Sequence, residues 1–114
     1  MRPDEFAAEM LRLSHLIDDG INTLRKYSVQ AAASEMEYRV AKAQAWVSVS
    51  SDLLAAHRLA EVEARTAELR RTRDVDENMR RAAIESIRSR QAQLSALQSL
   101  MNAHRAEAEF VRTT

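Results

Sequence analysis

The chain has one glycine, one proline and no cysteine among its 114 residues, and this scarcity restricts its possible folds more than any other feature. Most β-architectures need glycine and proline in their turns. Phosphate-binding loops need several glycines, and disulfide scaffolds and zinc ribbons need cysteines. In contrast, 20 residues are alanine, the strongest helix former. The sequence therefore predicts an all-α protein.

The first predicted helix covers residues 3–47. Pro3 suits its first turn, and apolar residues three or four positions apart then run from Phe6 to Leu24. Gly20 falls inside this spacing without shifting it, so a continuous helix is favoured over a break there. The Ser48–Asp52 segment predicts the end of this helix, and its serine and aspartate side chains could cap the next one.

The second and third predicted helices cover residues 53–71 and 75–112. The segment between them, from Thr72 to Glu77, indicates either a break or a surface stretch of helix. Asp74 followed by Glu77 resembles a capping box in which aspartate replaces the usual serine or threonine. A helix as long as the third spans roughly 55 Å at 1.5 Å per residue, which is too long for a compact domain of this size.

Large apolar residues are few, since valine, isoleucine, leucine and phenylalanine together make up 24 of the 114 residues. A compact monomer would therefore have a thin core. We expect long helices in an elongated helical hairpin or bundle, forming a single domain over residues 1–114 and completed by homo-oligomerisation. The expected oligomer seam on the third helix consists of Leu94, Leu97, Met101 and His104.

The formal net charge is zero, which disfavours unspecialised capture of nucleic acid or membranes. The zero hides an asymmetry, because residues 78–106 contain five arginines and a single acid. At 100° per residue, Arg81 and Arg88 share a helix face with Arg80 beside it. Arg90 lies on another face, from which it could reach a neighbouring subunit. A second stretch without acids, residues 38–51, contains Arg39 and Lys42.

Arginine binds phosphate bidentately and stacks on bases, so this clustering is typical of a nucleic-acid interface. The alternative interpretation is an ordinary solvated face. The six predicted binding residues are Arg39, Lys42, Arg80, Arg81, Arg88 and Arg90. Trp46 could also stack on a base, although packing in the core or between subunits is the favoured role for it.

No pattern in the sequence predicts catalysis. The histidines His15, His57 and His104 lack the spacing of a metal-binding helix, and no serine lies in a glycine-flanked nucleophile elbow. We therefore expect neither an enzyme nor a cofactor, a metal site or a small-molecule substrate. No apolar run is long enough to span a membrane, and the first residues do not resemble a signal peptide. The expected location is the cytoplasm.

Two stretches carry a resemblance to known proteins. Residues 87–98, IRSRQAQLSALQ, with residues 102–110, resemble small helical proteins encoded by phages of actinobacteria, as does the YRVAKA stretch of residues 38–43. In order and layout, over residues 30–105, they also resemble the T4-type phage recombination mediator. Ile87, Ser89 and Arg90 match its final-helix pattern and Lys42 matches its first helix. The chain departs from that family in having only two lysines and a longer N-terminal seam.

The resemblance implies a helical, ring-forming homo-oligomer that binds single-stranded DNA and helps to load a recombinase. The leading hypothesis is therefore a non-enzymatic, oligomeric accessory protein of phage recombination, located in the host cytoplasm. The alternative is a helical interaction or assembly protein that binds no nucleic acid. That alternative explains the neutral charge and the helical seams equally well.

Overall fold

The computed structural model describes residues 1–113, which form three α-helices and no strand. Helix α1 spans Pro3–Ser48, α2 spans Ala55–Arg65 and α3 spans Ala67–Thr113. The prediction of an all-α fold is confirmed for these residues. The chain divides into two compact units. The terminal unit combines Met1–Thr23 with α3 from Ala83 onward, and the central unit comprises Leu24–Ala82.

Helix α1 runs without interruption through Gly20, as the apolar spacing predicts. Asp4 and Glu5 lie in its first turn, where negative charge is favourable next to the unpaired backbone N–H groups. The Glu5 carboxylate also accepts a hydrogen bond from the Arg2 backbone N–H at 3.1 Å. These contacts fix the start of the helix at the position that Pro3 indicates.

The connection between α1 and α2 covers residues 49–54, close to the break predicted there. The predicted cap is wrong, because Leu54 occupies the N-cap position of α2 and makes no side-chain capping bond. The Ser50 hydroxyl instead accepts a hydrogen bond from the Asp52 backbone N–H at 3.2 Å, within the turn itself. The serine and aspartate thus stabilise the turn and leave the start of α2 uncapped.

The break between α2 and α3 lies at Thr66, six residues before the segment where the sequence predicts it. The Val62 carbonyl oxygen accepts two hydrogen bonds from Thr66, one from its backbone N–H at 3.1 Å and one from its hydroxyl at 2.8 Å. Such back-bonding by threonine bends helices. Residues 72–77 lie inside α3, so Asp74 and Glu77 form no capping box.

The core of the terminal unit forms where the beginning of α1 packs antiparallel to the second half of α3. Phe6, Leu13 and Leu97 are buried together there. Met10, Leu94 and Met101 pack against these three from the two helices. Burying a side chain of this size contributes roughly 1.5–3 kcal/mol, so each of the three buried residues stabilises the unit by about this amount.

The core of the central unit is built from smaller residues. Ala45 and Val49 at the end of α1 pack against Val62 of α2, and Trp46 lies beside them. Further along α1, Ala31 and Tyr38 are buried as well. Alanine lets neighbouring helices approach closely. Where the helices do not touch, the short alanine side chains leave space that long polar side chains can fill.

Candidate nucleic-acid interface

An open groove of about 440 Å³ lies between α1 and α3 of the central unit. Short side chains of α1 leave this space, and long charged side chains, mostly from α3, surround it. We refer to it as the arginine groove. Its lining consists of Ser28, Ala31, Ala32, Glu35 and Arg39 from α1 and of Arg73, Asp74, Glu77, Arg80 and Arg81 from α3.

Glu77 holds two of the groove arginines. Its carboxylate accepts hydrogen bonds from Arg80 through Nε at 2.9 Å and Nη2 at 2.7 Å, and from Arg81 through Nε at 3.2 Å. The hydrogen bonds from Arg80, followed by the one from Arg81, lower the pKa of Glu77 to about 2. The same contact raises the pKa of Arg80. Glu77 is therefore ionised at neutral pH and fixes both guanidinium groups.

Arg73 is a groove residue that the sequence does not predict. Its guanidinium carbon lies 4.3 Å from the centroid of the Tyr38 ring, a cation–π contact. Its Nη2 lies 3.0 Å from Asp74, and its Nε lies 3.7 Å from Glu35. The hydrogen bond to Asp74 is the largest cause that raises the pKa of Arg73. With 27% of its side chain exposed, Arg73 forms the inner wall of the groove.

A seven-residue spacing could have identified Arg73. From Thr66, just before α3, this spacing continues along the helix through residues that are all buried or half-buried, namely Arg73, Arg80, Ile87, Leu94 and Met101. Two of them are arginines, so a search for apolar residues alone overlooks the pattern. The inner face of α3 therefore continues through residues 72–77, although the charged composition of that segment is typical of a surface stretch.

A polar cluster around the buried Asp76 side chain occupies the same region of α3. The Asp76 side chain is 7% exposed and accepts a hydrogen bond from Gln30 Nε2 at 3.0 Å. It also accepts a hydrogen bond from the Ser34 hydroxyl. These bonds join α1 to α3 across the central unit. Asp76 is a structural residue that sequence reasoning missed, since its two partners lie more than 40 residues away.

The structure brings three of the six predicted binding residues together, namely Arg39, Arg80 and Arg81. Lys42 belongs to the same unit but lies outside the groove lining. Its Nζ is 3.9 Å from Glu63 and 5.7 Å from the centroid of the Tyr38 ring. In the groove, Arg39 donates from Nε to Glu35 at 2.8 Å.

Arg88 and Arg90 belong to the terminal unit. Arg88 donates to Glu85 at 2.8 Å, whereas Arg81, its predicted neighbour on one face, belongs to the central unit. Arg90 donates to the Leu16 backbone carbonyl at 3.4 Å and lines a smaller cleft beside Gly20. Arg90 thus contacts α1 of its own chain. The sequence alone had allowed a contact with a neighbouring subunit instead.

The predicted oligomer seam also packs within the chain. Leu97 is buried against Phe6 and Leu13, and Leu94 and Met101 pack against the same cluster. The His104 ring lies 6.1 Å from the Phe6 ring, centroid to centroid. Three of the four seam residues therefore pack against α1 of the same chain, whereas His104 is exposed.

The described residues show two further features. Among residues 1–113, no three side chains of the types that bind metals lie close enough together to hold an ion. No helix in the same range is both long enough and apolar enough to cross a membrane.

Comparison with protein-family models, with curated proteins and with solved structures finds no match to this chain.

Proposed function

We propose that this chain is a non-enzymatic binding protein whose arginine groove holds the phosphate backbone of single-stranded DNA. The observation that carries the proposal is the convergence of four guanidinium groups, those of Arg39, Arg73, Arg80 and Arg81, on one cavity. A guanidinium has five N–H donors in a planar fork, which matches the oxygens of a phosphate. Tyr38, beneath Arg73, keeps one wall of the cavity fixed.

Two of these arginines have donors left for a second acceptor. Arg39 bonds to Glu35 and Arg81 bonds to Glu77, in each case through Nε. Their side chains are 73% and 70% exposed. A phosphate can therefore approach the Nη groups of both residues while the carboxylates stay in place. The bound carboxylates would hold the guanidinium groups ready for that contact.

The carboxylates also limit the strength of binding. Glu35, Asp74 and Glu77 line the same groove as the four arginines, so its net charge is small. A single groove should bind weakly and with strong salt dependence, and several copies on one strand would raise the overall affinity through avidity. This agrees with a chain of zero net charge. The resemblance to recombination mediators adds a recombinase as the proposed protein partner.

The test is a titration of labelled oligo-dT, followed by fluorescence anisotropy at several salt concentrations. The variant R39Q/R81Q removes the two exposed groove arginines. The matched control R12Q/R112Q removes two exposed arginines of the terminal unit that are likewise paired with nearby glutamates. Each lost phosphate contact should reduce the slope of log K against log salt by about 0.7. We expect the groove variant to lose about 1.4 and the control to match the wild type.

Two results would overturn this proposal. One is the absence of any anisotropy change for the wild-type protein in low-salt buffer. The other is an equal loss of affinity in the groove variant and the control, since the arginines would then act only through total charge. Circular dichroism of all three proteins separates a loss of binding from a loss of folding.

One observation favours the second candidate, a helical interaction or assembly protein that binds no nucleic acid. Each of the four groove arginines already has a carboxylate of the same chain within 4.0 Å. In this candidate the ion pairs of the groove serve only the fold: most of them lie within one helix, and the contact of Arg73 with Glu35 joins α3 to α1. This candidate predicts no oligo-dT binding at any salt concentration and a lower unfolding temperature for R39Q/R81Q.

A further inference from the structure

The outer face of α1 in the central unit carries a second row of apolar side chains. They are Val29, Ala33, Met36, Val40, Ala43 and Val47, which we call the outer stripe. All six are exposed in the structure. The four larger ones expose 71% at Val29, 63% at Met36, 47% at Val40 and 88% at Val47.

The spacing of the outer stripe is that of a helix-packing seam. Its steps alternate between four and three residues, as they do between helices that pack along their length. The 18 steps of about 1.5 Å from Val29 to Val47 make the stripe about 27 Å long. No other described residue of the chain covers it. In a chain with so few large apolar residues, four in one exposed row indicate an interaction surface.

We propose that the outer stripe is the contact between two copies of this chain, which pair through their α1 helices. The surface that fits the stripe is another helix with the same alternating spacing and length, and α1 of a second copy has both. Two identical stripes related by a two-fold axis pair along their full length. This inference does not depend on nucleic-acid binding, and it moves the expected interface from α3 to the outer face of α1.

The charges beside the stripe favour a parallel pair. In a parallel arrangement, Arg39 lies beside Gln44 of the second copy, and Glu37 lies beside Ala32 of the second copy. An antiparallel two-fold pair centred on the stripe would bring Glu37 near its own equivalent and Arg39 near its own equivalent. Like charges at such positions are destabilising. The parallel pair therefore has no charge conflict along its length.

The length of the stripe sets the expected strength of the contact. Five helical turns form a smaller contact than the roughly 800 Å² per partner of a standard protein interface. We therefore expect a dimer that dissociates on dilution. Size-exclusion chromatography with light scattering should show the mass rising from one chain toward two as the protein concentration increases.

The deciding experiment compares the masses of two double variants by size-exclusion chromatography with light scattering. M36E/V40E places two charges on the outer stripe. V75E/M79E makes the same substitutions at a valine and a methionine of α3 that lie four residues apart and are also exposed, with exposures of 52% and 43%. We expect M36E/V40E to be monomeric at all concentrations and V75E/M79E to dimerise like the wild type. Circular dichroism checks that both remain helical.

Cross-linking tests the orientation, because the natural chain has no cysteine. Under mild oxidation, Val40→Cys should form a disulfide-linked dimer, since identical positions face each other in a parallel pair. Val75→Cys is the control and should remain mostly unlinked. A wild-type protein that stays monomeric at high concentration overturns the proposal, as does a dimer that M36E/V40E leaves intact. Cross-linking only between Met36→Cys and Val40→Cys chains overturns the parallel arrangement.

Discussion

Gly20 of α1 lies so close to Ile87 of α3 that a Cβ atom on Gly20 would be 3.1 Å from the Ile87 Cγ1 atom. This separation is tighter than ordinary van der Waals contact. A glycine inside a helix costs about 1 kcal/mol relative to alanine. The close approach of the two helices in the terminal unit gives a physical reason for a glycine at this position of α1.

The first prediction concerns this contact. Gly20→Ala should change the free energy of unfolding little, because the gain in helix propensity is offset by the crowding against Ile87. In an Ile87→Ala background, where Cγ1 is absent, the same substitution should stabilise the protein by about 1 kcal/mol. Urea denaturation of the four proteins of this double-mutant cycle measures the coupling. Additive effects would show that Ile87 does not restrict residue 20.

The second prediction concerns the polar cluster around Asp76. Asp76→Ala removes the acceptor of hydrogen bonds from Gln30 and Ser34 and leaves both donors without it. The expected loss in the free energy of unfolding is roughly 1–2 kcal/mol. Asp74→Ala is the matched control, because Asp74 lies two residues away with 59% of its side chain exposed. That variant should change stability by about 0.5 kcal/mol or less.

The same pair of variants distinguishes two interpretations of this segment. If Asp74 were a helix cap, as its spacing from Glu77 indicates, Asp74→Ala would cost about 1 kcal/mol. In the structure the helix runs through Asp74, and Asp76 two residues later carries the interhelical bonds. A larger loss for Asp74→Ala than for Asp76→Ala, measured in urea, would contradict the structure of α3.

Apolar periodicity predicted α1 correctly, because its inner residues near the N-terminus are apolar and lie on one face. It failed near Thr66 and Asp76 for a physical reason. The burial of a polar side chain depends on distant partners, such as Gln30 and Ser34 for Asp76, and these are not evident from local spacing. The break at Thr66 involves neither glycine nor proline, so the sequence gives no ordinary signal for it.

The prediction of the binding residues was incomplete for a related reason. A count of arginines located the basic stretch of α3, but it ignored glutamates three or four residues earlier. Glu77 precedes Arg80 and Arg81 at these spacings, and Glu85 precedes Arg88 by three. These pairs were readable from the sequence. In contrast, the approach of Arg39 to the α3 arginines requires the packing of two helices.

The third prediction is a dependence of stability on pH. The pKa of Glu77 is about 2 in the folded protein, below its ordinary value of 4.5, because Arg80 and Arg81 donate hydrogen bonds to its carboxylate. A carboxylate with a lowered folded pKa stabilises the fold above its unfolded pKa. That contribution should be present above pH 4.5 and should be lost progressively as the pH falls toward 2.

Thermal unfolding of the wild type and of Glu77→Gln across this range tests the point. The glutamine variant cannot titrate, so the difference in Tm between the two proteins should shrink as the pH falls from 4.5 toward 2. Raised salt should also reduce the difference at neutral pH, because the three side chains are at least partly exposed. A difference that is constant over the whole pH range would show that Glu77 does not hold the two arginines.

The fourth prediction tests where the leucine seam of α3 is buried. Leu97 is 8% exposed and packs against Phe6 and Leu13 of the same chain. Leu97→Ala should lower the free energy of unfolding by roughly 2–4 kcal/mol, since it removes buried methyl groups and leaves a cavity. Leu100→Ala, at a position that is 61% exposed on the same helix, should cost about 0.5 kcal/mol or less.

The dependence on protein concentration separates an intramolecular core from a subunit interface. A residue buried between subunits stabilises the folded state by mass action, so the effect of its removal on Tm changes with concentration. Leu97 packs within one chain, so the Tm decrease caused by Leu97→Ala should be the same at low and high concentration. A decrease that grows on concentrating the protein would instead place Leu97 between subunits, as its apolar spacing alone suggests. Differential scanning calorimetry of the wild type, Leu97→Ala and Leu100→Ala at two concentrations makes this distinction directly.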